Sequence, residues 1–404
     1  MLPHDAPSLH GDRGYLIPMA WAVEPPKWLM RRRWQCKLRF LTFRRMRSLA
    51  IAGGLVLLLV VLWDAFETIL LPRRVSRRFQ LTRIFYRLSW VPWRALARLR
   101  KAGIGRENLL SVYGPLSLLL LLGFWATGLI FGFALLHWGL GTRLHHPEGL
   151  TGFAADLYYS GTTLVTLGLG DVWPTSASDR LLTVVEAGTG FGFLALVIGY
   201  LPTLYEAFSR REVNISLLDA RAGSPPTAVE LLRRHVKPDG GEALGMLLME
   251  WERWSADLLE SHISFPVLAY YRSQHDNQSW VAAMTTVLDV SALIIAGLQD
   301  GPVRTARLTY AMARHAVVDL TRVQGLSPQL PDPDRLPAAD LGNLRKALAA
   351  AGHILPEGQS VDEKLSRLRL TYEPYLNALG KFLLMSLPEW LPTAHAQDNW
   401  QRMA

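Results

Sequence analysis

The chain has a single cysteine, Cys36, in 404 residues, so no intrachain disulfide can form and a disulfide-stapled exported fold is excluded. It lacks a strand leading into G-x-G-x-x-G, which removes a dinucleotide-type domain; Gly188-Thr189-Gly190 sits inside an apolar run instead. No phosphate loop, metal triad or nucleophile–base pair is legible, and this argues against an enzyme. Asp332-Pro333-Asp334 is without the glycine and the closing glutamate of a calcium loop. Acidic residues are missing from two stretches altogether: Lys27 to Arg47 holds nine Lys/Arg, and Arg73 to Arg106 holds eleven.

Long apolar runs, by contrast, are abundant. Half of the residues are hydrophobic and 19% are charged, which fits a membrane protein with a sizeable polar part. Leu49 to Leu71 is long enough to cross about 30 Å of hydrocarbon, although Asp64 and Glu67 lie toward its end. Leu109 to Trp138 is nearly uncharged, and a last span runs from about Arg180 to Phe208. Between these two, Phe153 to Ser160 is too short to cross, and a loop of alternating threonine and glycine follows, T-T-L-V-T-L-G-L-G-D from Thr162 to Asp171. Non-helical backbone at membrane depth is tolerated only where it is buried in protein or lines a watery path. Gly168 and Gly170 fit a backbone of alternating handedness that other residues resist.

Thr166-Leu167-Gly168-Leu169-Gly170-Asp171 resembles the T-V-G-Y-G-D filter of the pore-loop potassium channels, and the flanking spans extend that resemblance to about a quarter of the chain. It implies four copies around one axis, a homotetramer, with potassium as the permeant ion and no organic cofactor. Carbonyls of Thr166, Leu167, Gly168, Leu169 and Gly170 would replace the ion's hydration shell. Thr162, Thr163, Tyr158, Tyr159, Asp171 and Glu186 would support them. Two departures stand out. Leu169 replaces the usual aromatic, as in the second loop of two-pore-domain channels, so the bracing hydroxyl is missing and potassium preference softens. Thr162 stands where some members have a glutamate, which leaves Asp171 without an obvious partner.

In the last span Glu186 is an ionisable group at membrane depth. Gly190 matches the hinge glycine of related inner helices, whereas Gly188 and Gly192 read as packing glycines. Leu194, Ile198 and Pro202 would line an inner vestibule and gate. His137, His145, His146 and Glu148 fall on the outer turret, where a histidine pair beside a carboxylate has the chemistry for zinc but is more often simply solvated.

The expected fold is an all-α membrane protein: a two-helix pore module with a re-entrant pore helix, one extra N-terminal span and an all-α cytoplasmic domain. Its parts are a basic segment 1–48, a first membrane helix 49–72, a basic amphipathic linker 73–108, a pore domain 109–208 and a helical domain 209–404. Within the pore domain they are an outer helix 109–138, turret 139–152, pore helix 153–163, filter 164–171 and inner helix 179–208. Aromatic and apolar residues recur at helical spacing through Arg73–Arg106, and Pro92 divides it into two short helices suited to an anionic lipid surface; nucleic acid is disfavoured by the tether between spans.

The positive charge places that linker inside a cell's inner membrane, with the filter mouth outward and the C-terminal domain cytoplasmic. The first span conflicts with this, because Lys27 to Arg47 then lies outside. A start at Met46 or a segment 49–71 that enters and returns without crossing would resolve it; a cleaved signal peptide lacks a small-x-small site. In the C-terminal part helices are expected at 227–236, 242–263, 279–298, 303–323, 337–351 and 361–387, joined to the pore by a short arginine-rich joint at Arg211. Trp280 to Leu298 tempts a span assignment, but the central Asp289 argues for a buried core helix. Three function classes remain: a potassium-selective channel gated at the inner helix by the C-terminal domain, a weakly selective cation channel, and a non-conducting membrane sensor or scaffold.

Overall fold

The computed structural model describes residues 27–71, 80–145, 151–236, 240–275 and 277–391, with side chains from Thr42 onward. The chain is an all-α membrane protein. Among the described residues three helices are long and apolar enough to cross a membrane: α1 (Lys27–Ile69), apolar from Thr42, α3 (Ile104–Leu140) and α5 (Ala177–Ala222). Between α1 and α3 lies α2 (Leu81–Arg98), and between α3 and α5 the short α4 (Phe153–Leu164). A two-residue pair, β1 (Leu144–His145) and β2 (Trp173–Pro174), ties the segment after α3 to the segment before α5.

Helix α1 is one unbroken helix that crosses antiparallel to α3, so the enter-and-return reading of residues 49–71 is overturned. Glycines on α3 make the approach close: a Cβ on Gly132 would meet Leu58 at 2.7 Å, one on Gly128 would meet Val61 at 2.9 Å, and one on Gly139 would meet Ile51 at 2.6 Å. Small residues at such a seam let helices gain dispersion contacts where lipid gives no hydrophobic drive. The register sets Arg47 beside Gly141 and Asp64 beside Trp125, which puts the basic start of α1 at the turret end. Asp64, deep in an apolar helix, is fully employed. It accepts from Trp125 Nε1 at 2.9 Å, from the Thr82 hydroxyl at 2.7 Å and from the Thr82 backbone N–H at 3.1 Å. A carboxylate there satisfies an orphan donor of the first turn of α2 and complements its dipole.

Helix α2 runs through Pro92 without a break, contrary to the two short helices expected. Packing on both sides of the proline offsets the lost hydrogen bond, worth roughly 3 kcal/mol of helix propensity. Trp90 is buried against Tyr113, Tyr270 and Phe382 and donates to the Phe382 carbonyl at 3.2 Å; Trp93 donates to the Leu109 carbonyl at 3.1 Å. Of the stripe expected on lipid, Trp93 and Phe85 pack on α3, whereas Ile84, Leu88, Leu96 and Leu99 stay exposed.

At 1.5 Å per residue α5 is about 69 Å long and overshoots the hydrocarbon by more than half its length. The joint expected at Arg211 does not exist: the helix passes through it to Ala222. Arginines are good helix formers, so the change from apolar to polar composition marks where α5 leaves the membrane, not where it ends. The domain that grips this extension comprises α6 (Ala228–Arg233), α7 (Gly240–Ser264), α8 (Trp280–Ala296), α9 (Val303–Val323), α10 (Leu341–Ala350), α11 (Gln359–Leu370) and α12 (Glu373–Leu383). Every residue of α8 is buried. Its Asp289 accepts from the Tyr372 hydroxyl and from Arg335 Nη2, both at 2.6 Å, so the charge is paired in the domain core and the helix is not a span. The helix expected over 361–387 is two, because Pro374 sits in the first turn of α12 where its missing N–H costs nothing.

His262 of α7 lies in the same interior, 3.4 Å from Arg211 Nη1. Burial first, and the Arg211 charge second, push its imidazole from the ordinary 6.5 down to about 3. The folded chain thus refuses a proton that the unfolded chain accepts below about pH 6.5, so stability is lost as pH falls from there toward 3, by up to about 1.4 kcal/mol per pH unit. Melting in detergent should therefore drop between about pH 7 and about pH 5, and His262→Gln should flatten that slope.

Candidate functional site

The loop after α4 departs from ordinary backbone in a regular way. Thr166, Gly168 and Gly170 have φ of 58°, 53° and 78°, alternating with Leu167 and Leu169. The two glycines were expected at positive φ. Thr166 was not, and sequence gives no signal for it, since a β-branched residue there costs of order 1–3 kcal/mol. The loop is held by its amides: Thr166 N–H donates to the Thr163 carbonyl at 3.0 Å, while Leu167 and Gly168 N–H donate to the Thr162 carbonyl at 2.8 and 3.3 Å. Alternating handedness is a backbone able to turn successive carbonyls to one side, and the amides of Thr166, Leu167 and Gly168 are turned back onto α4. Thr162 and Thr163 thus support the loop through their backbone.

Three elements converge behind it. Glu186 of α5 is wholly buried and accepts a short hydrogen bond from Ser160 of α4; His137 Nε2 of α3 lies 2.9 Å from its other oxygen. His137 Nδ1 lies 3.0 Å from the Thr142 hydroxyl. His137 is therefore no turret residue: it fills the last turn of α3 and joins α3, α4 and α5 through one carboxylate. Sequence reasoning missed this link, because 49 residues separate its partners. Tyr159 stands its ring edge-on to His137 and sets its hydroxyl 2.5 Å from Thr183 Oγ1. Tyr158 donates to Asp171 Oδ2 at 2.9 Å, which supplies the partner that Asp171 was expected to lack.

Leu169 gains no such brace from its own chain and is 61% exposed. His145 stacks on Trp173 with ring centres 4.0 Å apart; His146 and Glu148 lie outside the described residues. On α5 the glycines behave opposite to expectation. A Cβ on Gly190 would lie 1.9 Å from the Leu164 carbonyl oxygen, whereas Gly188 and Gly192 have nothing within 4 Å. Gly190 is the packing glycine. Leu194, Ile198 and Pro202 follow at four-residue steps on an exposed face, helical throughout.

With this geometry in view, residues 119–207 match a protein family described as "Ion channel". Over 200 residues the chain is 24% identical to "Uncharacterized membrane protein YdjJ" of Bacillus subtilis (strain 168), covering 48% of this chain and 57% of that protein. The chain thus spans little more than half the length of this curated relative. No solved structure matches it. The match, which takes in the latter part of α3, α4, the loop and most of α5, supports an ion channel.

Proposed function

We propose that the chain is one subunit of a four-fold potassium channel of a cell's inner membrane, its helical domain cytoplasmic. The observation that carries this reading is the alternation of positive φ at Thr166, Gly168 and Gly170 on a loop whose amides are tied to α4. One chain supplies one wall of a pore. Leu167, Leu169, Leu194 and Ile198 are each more than half exposed, apolar surface that further copies around an axis would cover. Glu186, Ser160 and His137 hold the pore helix, and Leu194, Ile198 and Pro202 form the inner gate. Because α5 runs unbroken into the domain, a movement of the domain reaches the gate without a flexible joint, provided that the two states differ in their contacts.

A weakly selective cation channel is the second reading, favoured by the bare side chain of Leu169. Purified protein in bilayers under opposed potassium and sodium gradients separates the two. The reversal potential should lie nearer potassium's than sodium's, and Leu169→Tyr should preserve or sharpen it. A brace is one hydrogen bond of roughly 0.5–1.5 kcal/mol repeated in each subunit, enough to stiffen the loop without remaking it. Equal permeability in the wild type would establish the weakly selective channel, and absence of current from an intact oligomer would sink both.

A further inference from the structure

Where the C-terminal end of α1 meets α2 and the helical domain, the chain forms an open cavity of about 540 Å³. Its floor is aromatic, with Tyr86, Trp90 and Tyr270, and Tyr86 stacks on Tyr270 at 5.5 Å. Its charge is uneven. The two carboxylates in the wall are engaged: Glu67 accepts from Trp63 Nε1 at 2.6 Å, and Asp319 lies 3.2 Å from His315 and 3.7 Å from Arg322. Arg83 and Arg87, one turn apart on α2, line the same space and have no acidic partner among the described residues. Beside them α2 turns an apolar ridge outward, Ile84, Leu88 and Val91, respectively 43%, 71% and 59% exposed. A pair of guanidiniums at the mouth of an aromatic cavity, next to an uncovered apolar ridge and the end of a membrane helix, is complementary to an amphiphile with an anionic head.

We propose that this cavity seats the headgroup of an anionic membrane phospholipid, its phosphate held by Arg83 and Arg87 and its chains leaving along Ile84, Leu88 and Val91. Such a lipid touches α1, α2 and the helical domain at once, so it favours whichever arrangement keeps the three together. Binding itself is independent of conduction, whereas this consequence for opening rests on the channel reading above.

Native mass spectrometry of the full-length protein in detergent tests the site with phosphatidylglycerol, phosphatidylcholine and free glycerol phosphate as probes. Phosphatidylglycerol should bind more tightly than phosphatidylcholine, and the double variant Arg83→Gln/Arg87→Gln should lose about 30-fold of that affinity, two arginines near a lipid surface being worth about this much. Arg83→Lys/Arg87→Lys should recover most of it. Arg98→Gln/Arg100→Gln removes the same charge away from the cavity and should leave affinity unchanged. Equal losses in the Arg83/Arg87 and Arg98/Arg100 glutamine variants would mean a diffuse basic surface and overturn the site. Indifference between the two lipids would overturn it as well. Glycerol phosphate binding as tightly as the lipid would make it a site for soluble phosphoesters instead, since the ridge would then contribute nothing.

Discussion

Replacing Arg211 with alanine should loosen the helical domain from the inner helix and lower its stability by about 3–5 kcal/mol, the usual cost of removing one partner of a buried ion pair. The side chain is 2% exposed, and every direction of its guanidinium is used. It donates to the Leu268 carbonyl at 2.8 Å, to the Tyr271 carbonyl at 3.0 Å and to Glu212 Oε1 at 2.9 Å, with Phe208 beneath it. Alanine removes the charge paired with buried Glu212 and one donor from each of the Leu268 and Tyr271 carbonyls, although Leu268 keeps the Tyr271 N–H and Glu212 keeps Ser273 and the Gln274 N–H. Lysine keeps the charge but not the fork, so it should rescue only part. Arg210 is the control: it is half exposed in its pair with Glu206, and Arg210→Ala should cost no more than about 1 kcal/mol. Thermal melting of the three variants, followed by single-channel recording, reads both consequences. Arg211→Ala should melt well below Arg210→Ala and change the open probability. Coincident melting curves would mean that this contact does not hold the domain to α5.

The order of apolar runs and the threonine–glycine interruption made the all-α membrane class legible, because hydropathy and glycine act locally. What stayed hidden was set by partners far apart in sequence. Asp64 looks like a flaw in a span until Thr82 and Trp125 are beside it, and Asp171 looks stranded until Tyr158 reaches it. His137 reads in sequence as one of a turret cluster with His145, His146 and Glu148, yet its position in the last turn of α3 turns it inward to Glu186. The extent of α5 is hidden for another reason. Solvent exposure changes along a single helix without changing its hydrogen bonding, so a polar segment after an apolar one reads as a new element when it is the same helix in a new medium.

Gly190→Ala should reach the pore loop itself. A Cβ at this position would lie 1.9 Å from the Leu164 carbonyl oxygen, 2.8 Å from its carbon and 3.0 Å from its Cα, all backbone atoms that no rotamer change can move. Helix α4 must withdraw from α5, and Leu164 is its last residue, two before Thr166. The overpacking costs roughly 1–3 kcal/mol in each subunit, applied where the loop leaves its helix. Gly188→Ala and Gly192→Ala meet nothing within 4 Å in their own chain and should gain up to about 1 kcal/mol of helix propensity each. The hinge and packing readings of Gly190 then diverge in what a bilayer recording shows. A hinge variant keeps its unit conductance and reversal potential while its open probability changes. A packing variant loses conductance and ion preference even when the pore is open, because the carbonyls of Thr166 and Gly168 are carried off with α4. The contact with Leu164 leads us to expect the second result, with unit current reduced about tenfold or more for a barrier change of this size repeated around the ring. Normal unit conductance with altered opening would return Gly190 to the hinge.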